Sequence, residues 1–293
     1  MELTPVYTRR INAVIDHIRL HLSEDLSLAV LADVACFSPF HFHRIFKTLT
    51  GETIADLTLR LRLERAAVLL RSSPRMRVGD AAVESGFISL AHFSRAFKKR
   101  YGLSPSRWDR VTPLKESKNR QTLPGFPEYT DEQLAAFQFD VRVREFPAAR
   151  LAYLRIANSY VPERVLDGYA RLMAWHTGRG SPPTTLIGMS QDDPDITPLE
   201  LCRYDFCLIA PESFMGEGDI SARDFPACHV AAIHVRGDIF DVDKAWHYLF
   251  RSWLPRSRFQ PDNLPAMEIY HRTPEDIGWE TYDLECAIPV VSL

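Results

Sequence analysis

The 293-residue sequence has no long apolar run and little cysteine. Because no stretch of about 18 consecutive apolar residues is present, we expect no membrane span. The N-terminal residues lack the compact apolar core and small-residue cleavage site that are typical of an export signal. Five cysteines, none of them in a CxxC motif, are most simply reduced thiols, which predicts a cytoplasmic protein.

Motifs for catalysis and metal binding are also missing from the sequence. It has no Gly-rich phosphate loop and no GxSxG motif, and its histidines do not have the spacing of metal ligands. We therefore expect no metal, no cofactor and no enzymatic activity. The acidic segment QDDPDITP, with Asp192, Asp193 and Asp195, shows no EF-hand pattern and is expected to be a solvated loop.

The net charge of −3 hides two parts of opposite sign. Residues 1–115 carry 18 Lys and Arg against 11 Asp and Glu, a net charge of +7. Residues 116–293 carry 17 against 27, a net charge of −10. A basic part next to an acidic part suggests two partners with opposite charge preference.

Hydrophobic periodicity divides the chain into two domains. Residues 1–110 have apolar side chains at three- and four-residue spacing, which predicts an all-α domain. Residues 111–138 are polar, contain prolines and show no sustained periodicity, which is typical of a linker. Residues 139–293 alternate strand-like runs with two helical segments. The expected fold class is therefore α+β in two domains.

The helical domain contains a motif that occurs twice. Ser38-x3-Phe42-x-Arg44-x-Phe46-Lys47-x3-Gly51 recurs 51 residues later as Ser89-x3-Phe93-x-Arg95-x-Phe97-Lys98-x3-Gly102. Each copy follows a short helical segment and a turn, which predicts two helix-turn-helix units. Between them, residues 53–72 are predicted to form one helix about 30 Å long. This spacing would let one chain insert both second helices into successive major-groove faces.

The second helix of each unit combines a buried apolar stripe with an outer face suited to DNA. Arg and His can hydrogen-bond to base edges, an aromatic ring can touch a thymine methyl group, and Lys can contact phosphate. In the first copy the predicted DNA contacts are Ser38, Phe40, His43, Arg44 and Lys47. In the second copy they are Ser89, Leu90, Ala91, Ser94, Arg95, Lys98 and Lys99, with Arg100 as a further phosphate contact.

These motifs resemble the DNA-binding domain of the AraC/XylS family of bacterial transcription regulators. The resemblance covers residues 8–110 and rests on both copies of the motif and on the run SLAHFSRAFKKRYGLSPSRW. It implies binding to double-stranded DNA, contact with RNA polymerase and regulation of transcription, with activation and repression both open. Cys36 stands where the family usually has Gly. The alternative for these residues is a helical bundle whose basic face is only solvated.

The second domain also repeats itself, which predicts a duplicated strand-helix-strand-strand unit with a cleft at the seam. Arg144-Glu145-Phe146-Pro147-Ala148 recurs 79 residues later as Arg223-Asp224-Phe225-Pro226-Ala227. A carboxylate among aromatic rings would suit a flat, lipophilic cation. The candidates for this cleft are Tyr153, Tyr160, Tyr169, Trp175, Trp246, Tyr248, Trp253, Tyr270, Trp279 and Glu285.

Residues 139–291 resemble the GyrI-like (SbmC-like) effector-binding domains of multidrug-responsive regulators. The resemblance rests on the R-(E/D)-F-P-A entries, the helix that holds Trp175, and the ending Y-D-x-x-C-x-I-P-V. It implies a small-molecule effector and an essential acidic residue on the last strands, which Glu285 matches. The ligand-binding residues expected from pattern and resemblance together are Glu285, Tyr160, Tyr169, Trp175, Trp246, Trp253 and Trp279.

Two other functions stay open for the second domain. It could be a small-molecule hydrolase in which Glu285 acts as general base with a tyrosine. It could also be a protein-contacting module without a ligand. Each aromatic residue could equally belong to the core, and Glu285 could lie at a solvated strand end.

Overall fold

The computed structural model describes residues 5–72, 75–108, 125–180 and 184–292. In the first two ranges the chain is helical, as the periodicity predicts. The helices are α1 (Pro5–Leu20), α2 (Leu28–Val34), α3 (Pro39–Thr50), α4 (Ile54–Ser72), α5 (Val78–Glu84) and α6 (Leu90–Tyr101), followed by a 3-10 turn at Pro105–Arg107. Helices α2 and α3 form the first helix-turn-helix unit, and α5 and α6 form the second.

Local sequence signals set the ends of these helices. Ser38 and Ser89 occupy the N-cap positions of α3 and α6, and the Ser89 hydroxyl accepts a hydrogen bond from the backbone N–H of His92. Gly51 and Gly102 end the same helices in the left-handed conformation, with φ of 77° and 83°. Glycine adopts this conformation without a Cβ penalty, which is why both helices end at these positions.

Helix α4 belongs to the cores of both units. Leu57 and Leu61, in its first half, belong to the same apolar core cluster as Phe42 and Phe46 of α3. Its second half packs residues such as Leu69 in the cluster of α5 and α6. Burial of each large apolar side chain contributes about 1.5–3 kcal/mol. Helix α4 therefore holds the two helix-turn-helix units in one fixed arrangement.

The two tight turns have the same conformation despite their different residues. Cys36 has a φ of 52° and Gly86, in the second turn, has a φ of 83°. A Cβ at Gly86 would lie 2.0 Å from the carbonyl oxygen of Leu22, so this turn requires glycine. The first turn thus keeps the left-handed geometry although Cys36 replaces the usual glycine.

The end of the predicted linker is ordered against the second domain. Of residues 111–138, the structure describes only those from 125 onward. Asp131–Ala136 form a short helix, α7, which begins with a capping box between Thr130 and Gln133. Periodicity did not predict this helix because six residues are too few to show a repeat of 3.6.

The second domain is a curled antiparallel sheet with two main helices. Its strands are β1 (Arg142–Phe146), β2 (Ala149–Ala157), β3 (Leu186–Ser190), β4 (Arg203–Ile209), β5 (Ser221–Phe225), β6 (Cys228–Gly237), β7 (Phe259–Pro261), β8 (Ala266–Arg272) and β9 (Tyr282–Ser292). The strand order is β1-β6-β9-β8-β3-β4-β2-β5, and β7 pairs with β9. The helices are α8 (Pro162–Gly178), α9 (Ile239–Tyr248) and the single turn α10 (Pro274–Ile277).

The duplication is visible in this topology. Strands β1 to β4 with α8 form the first repeat, and β5, β6, β8 and β9 with α9 form the second. The first strand of each repeat pairs with the other repeat, because β1 pairs with β6 and β5 pairs with β2. The rings of Phe146 and Phe225, on these two edge strands, lie 5.6 Å apart. Each repeat therefore has one more strand than the predicted unit.

The sheet has apolar residues on both faces. Inside the curl, residues such as Tyr153 and Met267 form one cluster. On the outer face, α8 covers β2 and β4, and α9 covers β6 and β9. Helices α8 and α9 therefore lie on the same side of the sheet, with the central strands β3 and β8 between them.

The two domains are joined by a buried polar contact at α1. The carboxylate of Asp16 accepts hydrogen bonds from the hydroxyl of Tyr153 and from Arg155, both at 2.6 Å. Arg223 lies 3.4 Å from the same carboxylate. Burial alone would raise the pKa of Asp16, but Arg155 and Arg223 outweigh it and hold the pKa below its ordinary value.

Candidate functional site

The outer face of α3 presents the residues predicted to contact DNA. Phe40 is 81% exposed, and His43, Arg44 and Lys47 are exposed beside it. Phe42 and Phe46, on the inner face, are fully buried. Ser38 lies at the N-terminus of the helix, where backbone N–H groups are available to phosphate. The helix therefore combines a rigid apolar anchor with a polar outer surface.

Helix α6 presents a more apolar outer surface than α3. The exposed members of the predicted set are Ser89, Leu90, Ala91, Arg95, Lys98 and Lys99, whereas Ser94 is half-buried. Arg100 points back to α4 and pairs with Glu64 at 3.1 Å. Its guanidinium thus forms an ion pair within the helical domain.

Sequence reasoning missed one exposed residue at the start of the second unit. Ile88 is fully solvent-exposed and precedes the N-cap of α6. The turn of the second unit, Gly86-Phe87, follows that of the first unit, Cys36-Phe37, by 50 residues, whereas the second helices are 51 residues apart. Ile88, between the turn and the helix, is therefore the extra residue. An apolar side chain here has no partner in the described residues and could contact a thymine methyl group.

The described part of the second domain borders a cavity of about 450 Å³. It lies on the helix-covered side of the sheet and extends to α1 and α4 of the helical domain. Cavities of this size suit drug-sized ligands. Its aromatic lining consists of Phe126, Tyr160, Tyr204, Phe206, Trp246, Phe250, Tyr270, Trp279 and Tyr282.

Glu268, on the central strand β8, places a carboxylate in this aromatic lining. It accepts hydrogen bonds from the hydroxyl of Tyr204 at 2.5 Å and from the indole N–H of Trp246 at 3.3 Å. Burial raises the pKa of Glu268, and the hydrogen bonds from Tyr204 and Trp246 only partly offset this rise. Glu268 has no basic partner among these contacts, so its charge is available to a cationic ligand.

Gly188 makes room for this arrangement. It pairs with Glu268 across strands β3 and β8. A Cβ at this position would lie 1.6 Å from the hydroxyl oxygen of Tyr204 and 3.2 Å from a carboxylate oxygen of Glu268. Only glycine therefore allows the Tyr204 hydroxyl to reach Glu268.

The expected ligand-binding aromatic residues divide into two groups. Tyr160, Trp246 and Trp279 line the cavity, and so does Tyr270. Tyr169 lies outside the lining and packs edge-on against Trp279. The remaining two lie outside the lining: Trp175 contacts Phe214, and Trp253 stacks on Phe259.

Glu285 lies outside the cavity lining. It forms an ion pair with Arg144, and one of its carboxylate oxygens lies 3.7 Å from Nε2 of His271. Its strand neighbours are His234 and Ile269, and Ile269 belongs to the cluster inside the curl. The expected cleft position and the observed position of Glu285 thus differ, because alternation along β9 places it on the face opposite to the helices.

Strand pairing identifies the counterpart of Glu285 in the first repeat. In the strand register, Asp205 lies opposite Arg155 on one side and Met189 on the other. Glu285 lies opposite His234 and Ile269, which are the corresponding residues of the other repeat. Asp205 is therefore the counterpart of Glu285, at an offset of 80 residues. The sequence alone, in which Tyr204-Asp205 recurs as Tyr282-Asp283, indicates an offset of 78 instead. The carboxylate that breaks the symmetry of the cavity is Glu268, whose counterpart is Gly188.

The acidic segment expected to be a solvated loop is instead part of the domain interface. Asp192 is buried and pairs with Arg203 at 2.7 Å, with Arg19 at 3.1 Å and with Arg60 at 3.3 Å. Arg19 and Arg60 belong to the helical domain. Burial would raise the pKa of Asp192, but the three arginines outweigh it and lower the pKa far below its ordinary value.

The described residues contain neither a membrane-spanning helix nor a metal-binding cluster. None of the helices described is both long and apolar enough to cross a bilayer. In the same ranges, no group of three or more His, Cys, Asp or Glu side chains is arranged to hold a metal ion.

Family models match both domains. Residues 139–291 match the GyrI-like small molecule binding domain, which is more than half of the chain. Residues 31–110 match a helix-turn-helix domain. The regulatory protein SoxS of Escherichia coli K12 is 34% identical over 86 residues, which cover 29% of this chain and 79% of SoxS. The chain belongs to the AraC family of helix-turn-helix transcription regulators and carries a GyrI-like domain.

Two further relatives define how far the similarity of this AraC-family chain extends. The transcriptional regulator Rob of Salmonella typhimurium is 38% identical over 183 residues, 60% of each chain, and has the same domain order. The bifunctional transcriptional activator/DNA repair enzyme AdaA of Bacillus subtilis is 29% identical over 109 residues, 37% of this chain. The match spans about half the length of AdaA.

Proposed function

We propose that this AraC-family regulator controls transcription in response to a lipophilic cation bound at Glu268. The observation that carries the proposal is a carboxylate without a basic partner in an aromatic cavity of about 450 Å³. Aromatic faces attract cations, and a partly dehydrated carboxylate strengthens that attraction. Glu268 replaces Glu285 in the role expected from the sequence.

DNA binding is proposed to use the exposed outer faces of α3 and α6. Arg44 and Arg95 would read bases, and Lys47, Lys98 and Lys99 would contact phosphates. The spacing between the two faces is supported by α4, which packs in both cores. We extend the proposal to the cytoplasm as the site of action and to RNA polymerase as a protein partner.

The hydrolase alternative has no support from the placement of its proposed base. Glu285 is ion-paired with Arg144 and lies outside the cavity lining. The similarity to AdaA covers only 109 residues, 37% of this chain, and gives no ground for extending the DNA repair activity in the name of AdaA to this chain.

Calorimetry with methyltriphenylphosphonium tests the role of Glu268. We expect Glu268→Gln to weaken binding about 10- to 100-fold, because Coulomb attraction between unit charges about 6–10 Å apart is worth about 1.5–3 kcal/mol at an effective dielectric constant of about 20. Glu285→Gln is the matched control and should bind as tightly as the unaltered chain. If the control variant lost binding and Glu268→Gln kept it, the assignment would be reversed.

The same binding should depend on pH through Glu268, in addition to the other lining groups with shifted pKa values, Asp195, Asp243 and His247. Because burial raises its pKa, Glu268 remains protonated to a higher pH than an ordinary Glu, whose pKa is about 4.3. A protonated Glu268 cannot pair with a cation, so affinity should fall as the pH is lowered through the raised pKa. The difference in pH profile between the unaltered chain and Glu268→Gln isolates the contribution of Glu268, because Asp195, Asp243 and His247 are present in both.

A further inference from the structure

The cavity is bounded by both domains. Leu61, Arg65 and Val68 of α4 line it, and α4 belongs to the DNA-binding domain. The opposite wall includes Glu268 and the residues around it on the second domain. A ligand that fills the cavity would therefore contact a helix that is not part of the GyrI-like domain.

Direct hydrogen bonds hold α4 to the loop that forms this end of the cavity. One guanidinium nitrogen of Arg65 donates to the carbonyl oxygens of Pro261 and Asp262, each at 2.9 Å. The side-chain amide of Asn263 donates to the carbonyl oxygen of Arg19 in α1. The loop that follows β7 is thus fixed to the DNA-binding domain at three points.

A second contact joins α4 to the segment next to β3. Arg71 pairs with Asp193 at 2.6 Å and with Asp195 at 3.2 Å. Ile196 is buried in the core cluster of the second helix-turn-helix unit, although it belongs to the second domain. This segment also lines the cavity. The cavity wall and the core of a DNA-binding unit therefore share residues.

We infer that the effector site is a two-domain site, in which the cation lies at Glu268 and an apolar extension lies against Leu61 and Val68 of α4. This inference rests on the proposed cation site and adds the class of ligand that uses the whole cavity: an elongated amphipathic cation. A short cation occupies only the Glu268 end. A long cation contacts both domains at once, so its binding is coupled to how the DNA-binding domain is docked.

The test compares methyltriphenylphosphonium with dodecyltriphenylphosphonium on the full chain. In the unaltered protein the long-chain cation should bind at least about tenfold more tightly, because additional apolar surface is buried. Val68→Trp should fill the α4 end of the cavity. We expect this variant to lose the tenfold preference while its affinity for the short cation changes less than about twofold.

Val83→Trp is the control, because Val83 is exposed on α5 of the same domain. It should keep the preference for the long cation. A preference that persists in Val68→Trp would overturn the inference and leave the Glu268 site standing. Failure of both cations to bind the unaltered chain would overturn the proposed function, and this inference with it.

Hydrogen exchange of the unaltered protein gives a second readout that needs no variant. The long cation should slow amide exchange in α4 more than the short cation does at equal occupancy, since only the long cation contacts that helix. If the two cations protected α4 equally, the apolar extension would not lie there. This measurement decides the question even where Val68→Trp does not fold.

Discussion

Gly188 and Glu268 face each other across the centre of the sheet, one in each repeat. Glu268 supplies the carboxylate of the cavity. Gly188, which has no side chain, leaves the space in which the Tyr204 hydroxyl donates a hydrogen bond to that carboxylate. Neither residue stands out in the sequence, because a lone Gly or Glu in a strand has many ordinary explanations. Their relation depends on strand pairing, which a single sequence does not display.

Gly188→Ala should therefore destabilise the protein. The added methyl group would overlap the Tyr204 hydroxyl at 1.6 Å, and overpacking of this kind costs about 1–3 kcal/mol. Urea denaturation followed by circular dichroism measures the change. Gly79→Ala in α5 is the matched control, because nothing lies within 4 Å of its Cβ position. The control should be neutral or stabilising, and equal losses in both variants would contradict the account.

At the scale of single elements, the helices were largely predictable from sequence. Serine N-caps, glycine ends and apolar spacing of three and four residues are local signals, so α3, α4 and α6 lie where expected. The short helix α7 was missed because it is too short for periodicity. Glu285 on β9 lies outside the cavity lining, because the resemblance indicates an acidic residue on the last strands but not which face of the sheet borders the cavity.

The outer face of α3 gives a prediction that separates base reading from phosphate contact. Arg44→Ala should cost about 1–3 kcal/mol of discrimination at one base pair of a duplex selected by the full chain. Lys47→Ala should weaken binding to all sequences alike and reduce the salt dependence of binding. Mobility shifts at several salt concentrations on single-base variants of the duplex measure both. Uniform weakening by Arg44→Ala would refute its base-reading role.

At the scale of the whole molecule, the interface between the domains could not be predicted from sequence. Asp192 lies 132 residues from Arg60 along the chain, and no local pattern links them. A cluster of aspartates in a Pro-containing segment is ordinarily solvated, which is why this segment was expected to be a loop. Only the folded arrangement brings three arginines around one carboxylate.

Asp192→Asn should destabilise the chain by about 3–5 kcal/mol, because it leaves buried arginines without their counter-charge. Urea denaturation measures this loss. Asp167→Asn is the control, because Asp167 pairs with Arg171 on the exposed side of α8. Its removal should cost less than about 1 kcal/mol. Similar small effects in both variants would mean that the buried network contributes little to docking.

The exchange of edge strands between the repeats bears on the origin of the second domain. In a chain with only one repeat, the first strand would lack the partner strand that the other repeat supplies here. Such a chain could complete its sheet by exchanging its first strand with that of a second copy. The GyrI-like domain has the topology of a strand-swapped homodimer fused into one polypeptide. In one polypeptide, positions 188 and 268 can carry different residues, a glycine and a glutamate, whereas the two subunits of a homodimer carry the same residue at both.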